Sequence, residues 1–207
     1  MSFKLSSREK KWILYDVGNS AFILLVSTII PIYFNSLAQS GGLDSVTYLA
    51  YWGYAASAAT LIVALTGPLL GTVADRQARK KPLFLFSVIL GALGCLLLGF
   101  AGSWKSFLII FVLAKVGYSL SLVFYDSMLG DITVHERMDN VSSQGYAWGY
   151  IGSCIPFLVC LGLVLGAEPL GLGMSKAMVL AFLTVSLWWI VCTLPLLRVY
   201  RQSRFVT

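Results

Sequence analysis

Six stretches of this chain are apolar for long enough to cross a lipid bilayer: Trp12–Leu37, Val46–Ala74, Leu83–Ala101, Ser106–Leu129, Val141–Leu165 and Ser175–Leu197. A hydrocarbon core about 30 Å thick needs roughly 20 such residues per helix. Inside it every backbone N–H and C=O must be satisfied within the protein, which leaves helices for segments of this length. The composition agrees, with 58% hydrophobic and 12% charged residues, where a soluble domain carries about 25% charged. The apolar residues come in unbroken blocks rather than as a one-sided stripe, so they face lipid as well as protein. The reading is an all-α polytopic membrane protein, a single six-helix transmembrane domain over residues 1–207.

The connections are short, and their charges orient the spans. Lys4, Arg8, Lys10, Lys11, Arg76, Arg79, Lys80, Lys81, Arg137, Arg198, Arg201 and Arg204 fall on one side; Lys105 and Lys176 fall on the other. Lys and Arg are retained on the cytoplasmic side, so both termini are expected there. That asymmetry explains the net charge of +6 better than nucleic-acid binding does, because no continuous basic patch is visible. Met1–Lys11 is polar and basic, and the apolar run after it is too long for a signal-peptide core, so a retained first span is expected. Cys95, Cys154, Cys160 and Cys192 lie inside apolar spans without a Cys-x-x-Cys pair and read as small buried hydrophobes.

Polar residues inside the spans are the candidate functional residues. Asp16, Asn19 and Ser20 stand at i, i+3 and i+4 and share one helix face, continued by Ile23 and Ser27. A carboxylate about one turn inside the boundary should point at a partner or a water-filled cavity; helix-end capping with snorkelling is the other reading. Pro31 marks an expected kink. The fourth span carries Lys115, Tyr125 and Asp126. Lys115 and Asp126 fall within about 20° of each other around the helix but roughly 16 Å apart along it, so each needs a partner elsewhere. They are either buried ion pairs that fix register or residues of a solute or proton pathway. Gly145, Gly149 and Gly152 form a Gly-x-x-x-Gly face for close helix packing. Tyr146 and Trp148 suit an interfacial aromatic belt better than a cavity mouth. No metalloprotease helix pair, nucleophile elbow or phosphate loop occurs, so neither an enzyme, a cofactor nor a metal is expected.

The stretch from Gly67 to Pro82, with Gly71, Asp75-Arg76 and Arg79-Lys-Lys, resembles the loop signature of the major facilitator superfamily; Ala78 stands where that family usually has Gly, so a local change in the turn is expected. Tyr15-Asp-Val-Gly-Asn-Ser-Ala-Phe22, Ile30-Pro-Ile-Tyr-Phe34, Phe124-Tyr-Asp-Ser-Met-Leu129 and the run from Val141 to Gly152 are similar to its autophagy-related, vacuole-effluxer-like branch, which includes bacterial permeases. The resemblance implies a half bundle with a three-plus-three inverted repeat, faintly echoed by Gly67–Gly71 and Gly162–Gly166. It implies Asp75 and Arg76 as a cytoplasmic latch between two halves, with Gly71 and Arg79 in the same gate, and a location in a bacterial cytoplasmic membrane. It also implies a role for a basic residue on the fourth helix. Members of the branch normally have twelve helices, and the better-known eukaryotic ones are linked to amino-acid efflux. The partners expected are therefore the bilayer, a small solute such as an amino acid, protons, and a second six-helix half in a homodimer or heterodimer. Two alternatives stay open: a non-transporting assembly or regulatory subunit, and a fragment of a twelve-helix transporter.

Overall fold

The computed structural model describes residues 4–206; the first three residues of the polar start lie outside that range. The chain forms α1 (Ser7–Ser27), α2 (Ile29–Ser40), α3 (Ser45–Ala74), α4 (Lys80–Leu98), α5 (Trp104–Ile132), α6 (Met138–Leu165) and α7 (Gly173–Val199), with a 3₁₀ turn at His135–Arg137. Among the described residues there is no strand, only one isolated bridge between Arg76 and Val206. Five helices are long and apolar enough to span a membrane, and α1 with α2 makes a sixth span bent by 40°.

The bend falls at Thr28 rather than at Pro31, three residues on. Pro31 lacks the N–H that would reach the Ser27 carbonyl, and its ring crowds that carbonyl, so the ladder fails one turn ahead of the proline. Thr28 leaves helical geometry at φ −128° and ψ −74°. Its N–H turns to Leu25, while its hydroxyl donates to the Leu24 carbonyl at 2.6 Å and so replaces the lost helical bond.

Helix starts follow local chemistry. Ser6 and Glu9 cap α1 reciprocally, Ser6 Oγ accepting the Glu9 N–H and Glu9 Oε2 accepting the Ser6 N–H. Asp44 Oδ1 accepts from the Val46 and Thr47 N–H groups, both at 2.9 Å, at the start of α3. The Thr47 hydrogen bonds hold that carboxyl below its usual range. Several helices outrun their apolar spans. The stretch Gly130–Asn140 reads as a polar loop, yet α5 continues to Ile132 and α6 starts at Met138. Hydropathy marks where hydrocarbon ends, whereas a helix continues into water until its backbone finds another partner.

The most extensive seams among the described helices are α4–α5 and α1–α6. On the α4–α5 seam Gly91, Gly94, Ala114 and Gly117 bring backbones together; a Cβ on Gly117 would collide with the Gly91 backbone nitrogen. On the α1–α6 seam a Cβ on Gly149 would lie 2.8 Å from Ser20 Oγ, and one on Gly152 would overlap Val17. Phe22, Phe84, Phe111, Phe182 and Trp189 fill the centre, each nearly inaccessible. The outer surface is greasy, with Leu61, Leu65 and Leu69 of α3 well exposed, as bilayer contact requires. Cys95, Cys160 and Cys192 are buried, but Cys154 is exposed on α6 and so departs from the buried reading. The chain start, the α3–α4 turn, the α5–α6 connection and residues 200–206 meet at one end, where most of the Lys and Arg gather. The Gly67–Gly71 element lies toward that end of α3, and Gly162–Gly166 lies at the far end of α6.

Candidate functional site

Helices α1, α5 and α6 enclose a cavity of about 390 Å³, with Asp16, Asn19, Tyr125 and Asp126 among its lining residues. The i, i+3, i+4 spacing places Asp16, Asn19 and Ser20 on its α1 wall. One edge of the wall is rigid. Trp12 stacks on Tyr125 with ring centroids 4.2 Å apart. The Trp12 indole N–H donates to the Tyr125 carbonyl at 3.2 Å, and the Tyr125 hydroxyl donates to the Trp12 carbonyl at 3.2 Å. Tyr125 is thus almost wholly buried and acts chiefly as a brace. The glycines of α6 close the other side: a Cβ on Gly145 would lie 2.9 Å from the Trp12 ring, and one on Gly149 would lie 3.3 Å from the Asp16 carboxylate.

Both carboxylates in the cavity lack an ion partner among the described residues. Asp16, half-buried, accepts a 3.3 Å hydrogen bond from the Asn19 amide. Asp126 is exposed at the lining. Lys115 is half-buried and is not one of the lining residues; its ammonium sits 5.0 Å over the Tyr118 ring. The two charges that share a face of α5 are therefore separated in role, with the anion on the cavity and the cation off it.

Sequence reasoning missed part of the wall. Tyr146 lines the cavity: it and Tyr150 stand at the mouth with hydroxyls 3.2 Å apart and rings 4.8 Å apart. Trp148, on another face of α6, lies by Leu5 and Ile13 away from the cavity. Ser142, Tyr146, Tyr150 and Ser153 recur every three to four residues, and that polar stripe was the signal available.

At the basic end the expected gate residues are largely open. Asp75, Arg76 and Arg79 are exposed, and Gly71 has open space where a side chain would go. The Asp75 carbonyl accepts from the Val206 N–H at 2.8 Å. Ala78 has φ 61°, so the turn keeps the left-handed backbone that suits glycine despite the replacement. Pairing within the chain lies with residues the sequence did not single out. Lys80 Nζ is 3.5 Å from Asp131, with the two side chains 5% and 1% exposed. Asp131 also accepts from the Tyr200 hydroxyl at 2.6 Å, from the Ser203 N–H and hydroxyl, and from the Arg204 N–H. Gln202 donates to the Ala74 and Arg76 carbonyls. Glu9 receives Arg137 in a two-pronged pair at 2.9 and 2.8 Å, and the Thr133 hydroxyl at 2.7 Å. Among the described residues no three His, Cys, Asp or Glu side chains cluster as a metal site.

A bundle of spans with two carboxylates in a cavity against one face is that of a multi-pass membrane protein, and the comparisons add a transporter family. The family model described as "Vacuole effluxer Atg22 like" matches residues 42–205. An uncharacterised MFS-type transporter, YxiO, of Bacillus subtilis (strain 168) is 35% identical over 211 residues, covering 100% of this chain and 49% of its own length. An uncharacterised protein of Aquifex aeolicus (strain VF5) is 27% identical over 147 residues, covering 70% of this chain and 36% of its own length. No solved structure matches. The chain belongs to the Atg22-like, major facilitator-type family of transporters, and spans about half the length of the Bacillus relative.

Proposed function

We propose that this chain acts as one six-helix half of a secondary active transporter, moving a small solute through a path it shares with a second half. The observation that carries the reading is the cavity, about 390 Å³ with two carboxylates that lack an ion partner among the described residues, in a chain of a transporter family. Charges inside a membrane are retained where they serve a pathway or a partner. Asp16, Asn19 and Asp126 are the path residues, Tyr125 braces them, and Lys115, over the Tyr118 ring, is a second charge on the same face of α5. Gly145, Gly149 and Gly152 let α6 ride close on α1 as the halves rock in alternating access. Gly71, Asp75, Arg76 and Arg79 form the cytoplasmic latch, and their exposure leaves them available to another half. The partner is a second copy or a separate six-helix half, the membrane is a bacterial cytoplasmic one, and protons that titrate Asp16 and Asp126 drive the cycle. An amino acid is the solute that the family resemblance favours.

The test is flux. The chain in proteoliposomes, alone and with a six-helix partner, is given radiolabelled amino acids under a proton gradient. Time-dependent uptake that Asp126→Asn and Lys115→Ala suppress is expected; no uptake in either arrangement refutes transport. Crosslinking in mild detergent that finds only monomers refutes the pairing.

A further inference from the structure

Resting on that transport reading, we infer that the cavity takes an organic cation bearing an amine and turns away anions of the same size. Its charged lining is of one sign: Asp16 and Asp126 are present, and no Lys or Arg contributes. Lys115 is not on the lining; its ammonium lies over the ring of Tyr118, a lining residue, at 5.0 Å.

A second observation concerns the amide beside the Asp16 carboxylate. Asn19 lies on the wall and is only 1% exposed. Its amide N–H donates to Asp16 at 3.3 Å. Its amide oxygen receives no donor from the described residues and is not among the sealed unsatisfied atoms, so it meets the cavity. An acceptor held in a buried side chain requires a donor from whatever fills the space. An ammonium supplies N–H donors to that oxygen and positive charge to the two carboxylates. Tyr146 and Tyr150 add aromatic rings, whose faces attract cations and not anions. A dicarboxylate or phosphate solute, which carries no ammonium of its own, would meet two like charges with no cation among the lining residues.

The experiment uses the 207-residue chain in lipid nanodiscs and follows tryptophan fluorescence, since Trp12 is on the lining. Three probes share a four-carbon skeleton and differ in charge: 1,4-diaminobutane, 1,4-butanediol and succinate, at constant ionic strength. The diamine is expected to bind at least about tenfold more tightly than the diol, and succinate is expected not to compete with it. Asp126→Asn, at an exposed position, is expected to leave folding intact and to cut that preference several-fold, and Tyr150→Leu to weaken the diamine without helping succinate. Equal affinity for diamine and diol, failure of the diamine to bind, or tighter binding of succinate overturns the inference. So does sodium chloride alone producing the diamine's fluorescence change, which would mark an inorganic cation site. Flux measured in parallel separates the two claims. Transport without cation preference sinks this inference alone, whereas cation preference without transport sinks the transport reading and leaves the site standing.

Discussion

The basic end of the bundle and the cavity treat charge in opposite ways. At the basic end, carboxylates that leave water are answered within the chain: Asp131 by Lys80 and by donors from residues 200–204, Glu9 by Arg137 and Thr133. In the cavity, Asp16 has one neutral amide donor, and Asp126 has no hydrogen bond or ion pair among the described residues. Desolvated charge without a partner is destabilising, so the first arrangement serves the fold. The second is consistent with charge held for something that comes and goes.

Mutations should expose that contrast. Asp131→Ala leaves the ammonium of Lys80, itself 4% exposed, with the Ser127 carbonyl but no counter-charge, and is expected to cost about 3–5 kcal/mol, read as loss of the folded fraction in a denaturant titration in mixed micelles. Glu9→Ala removes a capping partner and both prongs of the Arg137 pair, but Arg137 can turn to water; about 1–3 kcal/mol is expected in the same titration. If Asp131→Ala proved no more damaging than Glu9→Ala, the basic end would owe little to its buried pair. Ala78→Gly relieves a left-handed alanine at φ 61° and is expected to stabilise by about 1 kcal/mol, visible as a raised unfolding midpoint. The smallest effect on folding belongs to Asp126→Asn, expected to stay within about 0.5 kcal/mol of the parent while diamine binding falls. A destabilisation as large as that of Asp131→Ala would place Asp126 among the structural charges and erase the comparison.

How much of this was legible depended on whether the signal was local. The spans were, because lipid demands continuous apolar sequence, and so was the Asp16–Asn19–Ser20 face, because a helix of known period fixes it. The break at Thr28 was half legible: Pro31 signalled it, but a missing N–H disturbs the turn before the proline. The place of Tyr146 on the cavity was not legible because an interfacial belt and a cavity mouth occur at the same depth, and only the rotation of α6 about its axis shows the second. That rotation is set by the contacts of Gly145, Gly149 and Gly152 with α1, which spacing alone does not orient. The Lys80–Asp131 pair was invisible for a like reason. Its members sit on different helices, and the basic loop drew attention to Asp75 and Arg76, whose side chains are exposed.

The first span is two rods meeting at one joint. With Thr28 out of helical register and Pro31 unable to stitch the rods together, a swing of α2 leaves the hydrogen bonds within α1 untouched. Asp16 and Asn19 ride on α1, while Tyr33 and Phe34 on α2 pack against Phe107 near the opposite end. The far half of this span and the carboxylate wall are therefore carried by separately hydrogen-bonded rods, each seated by its own packing.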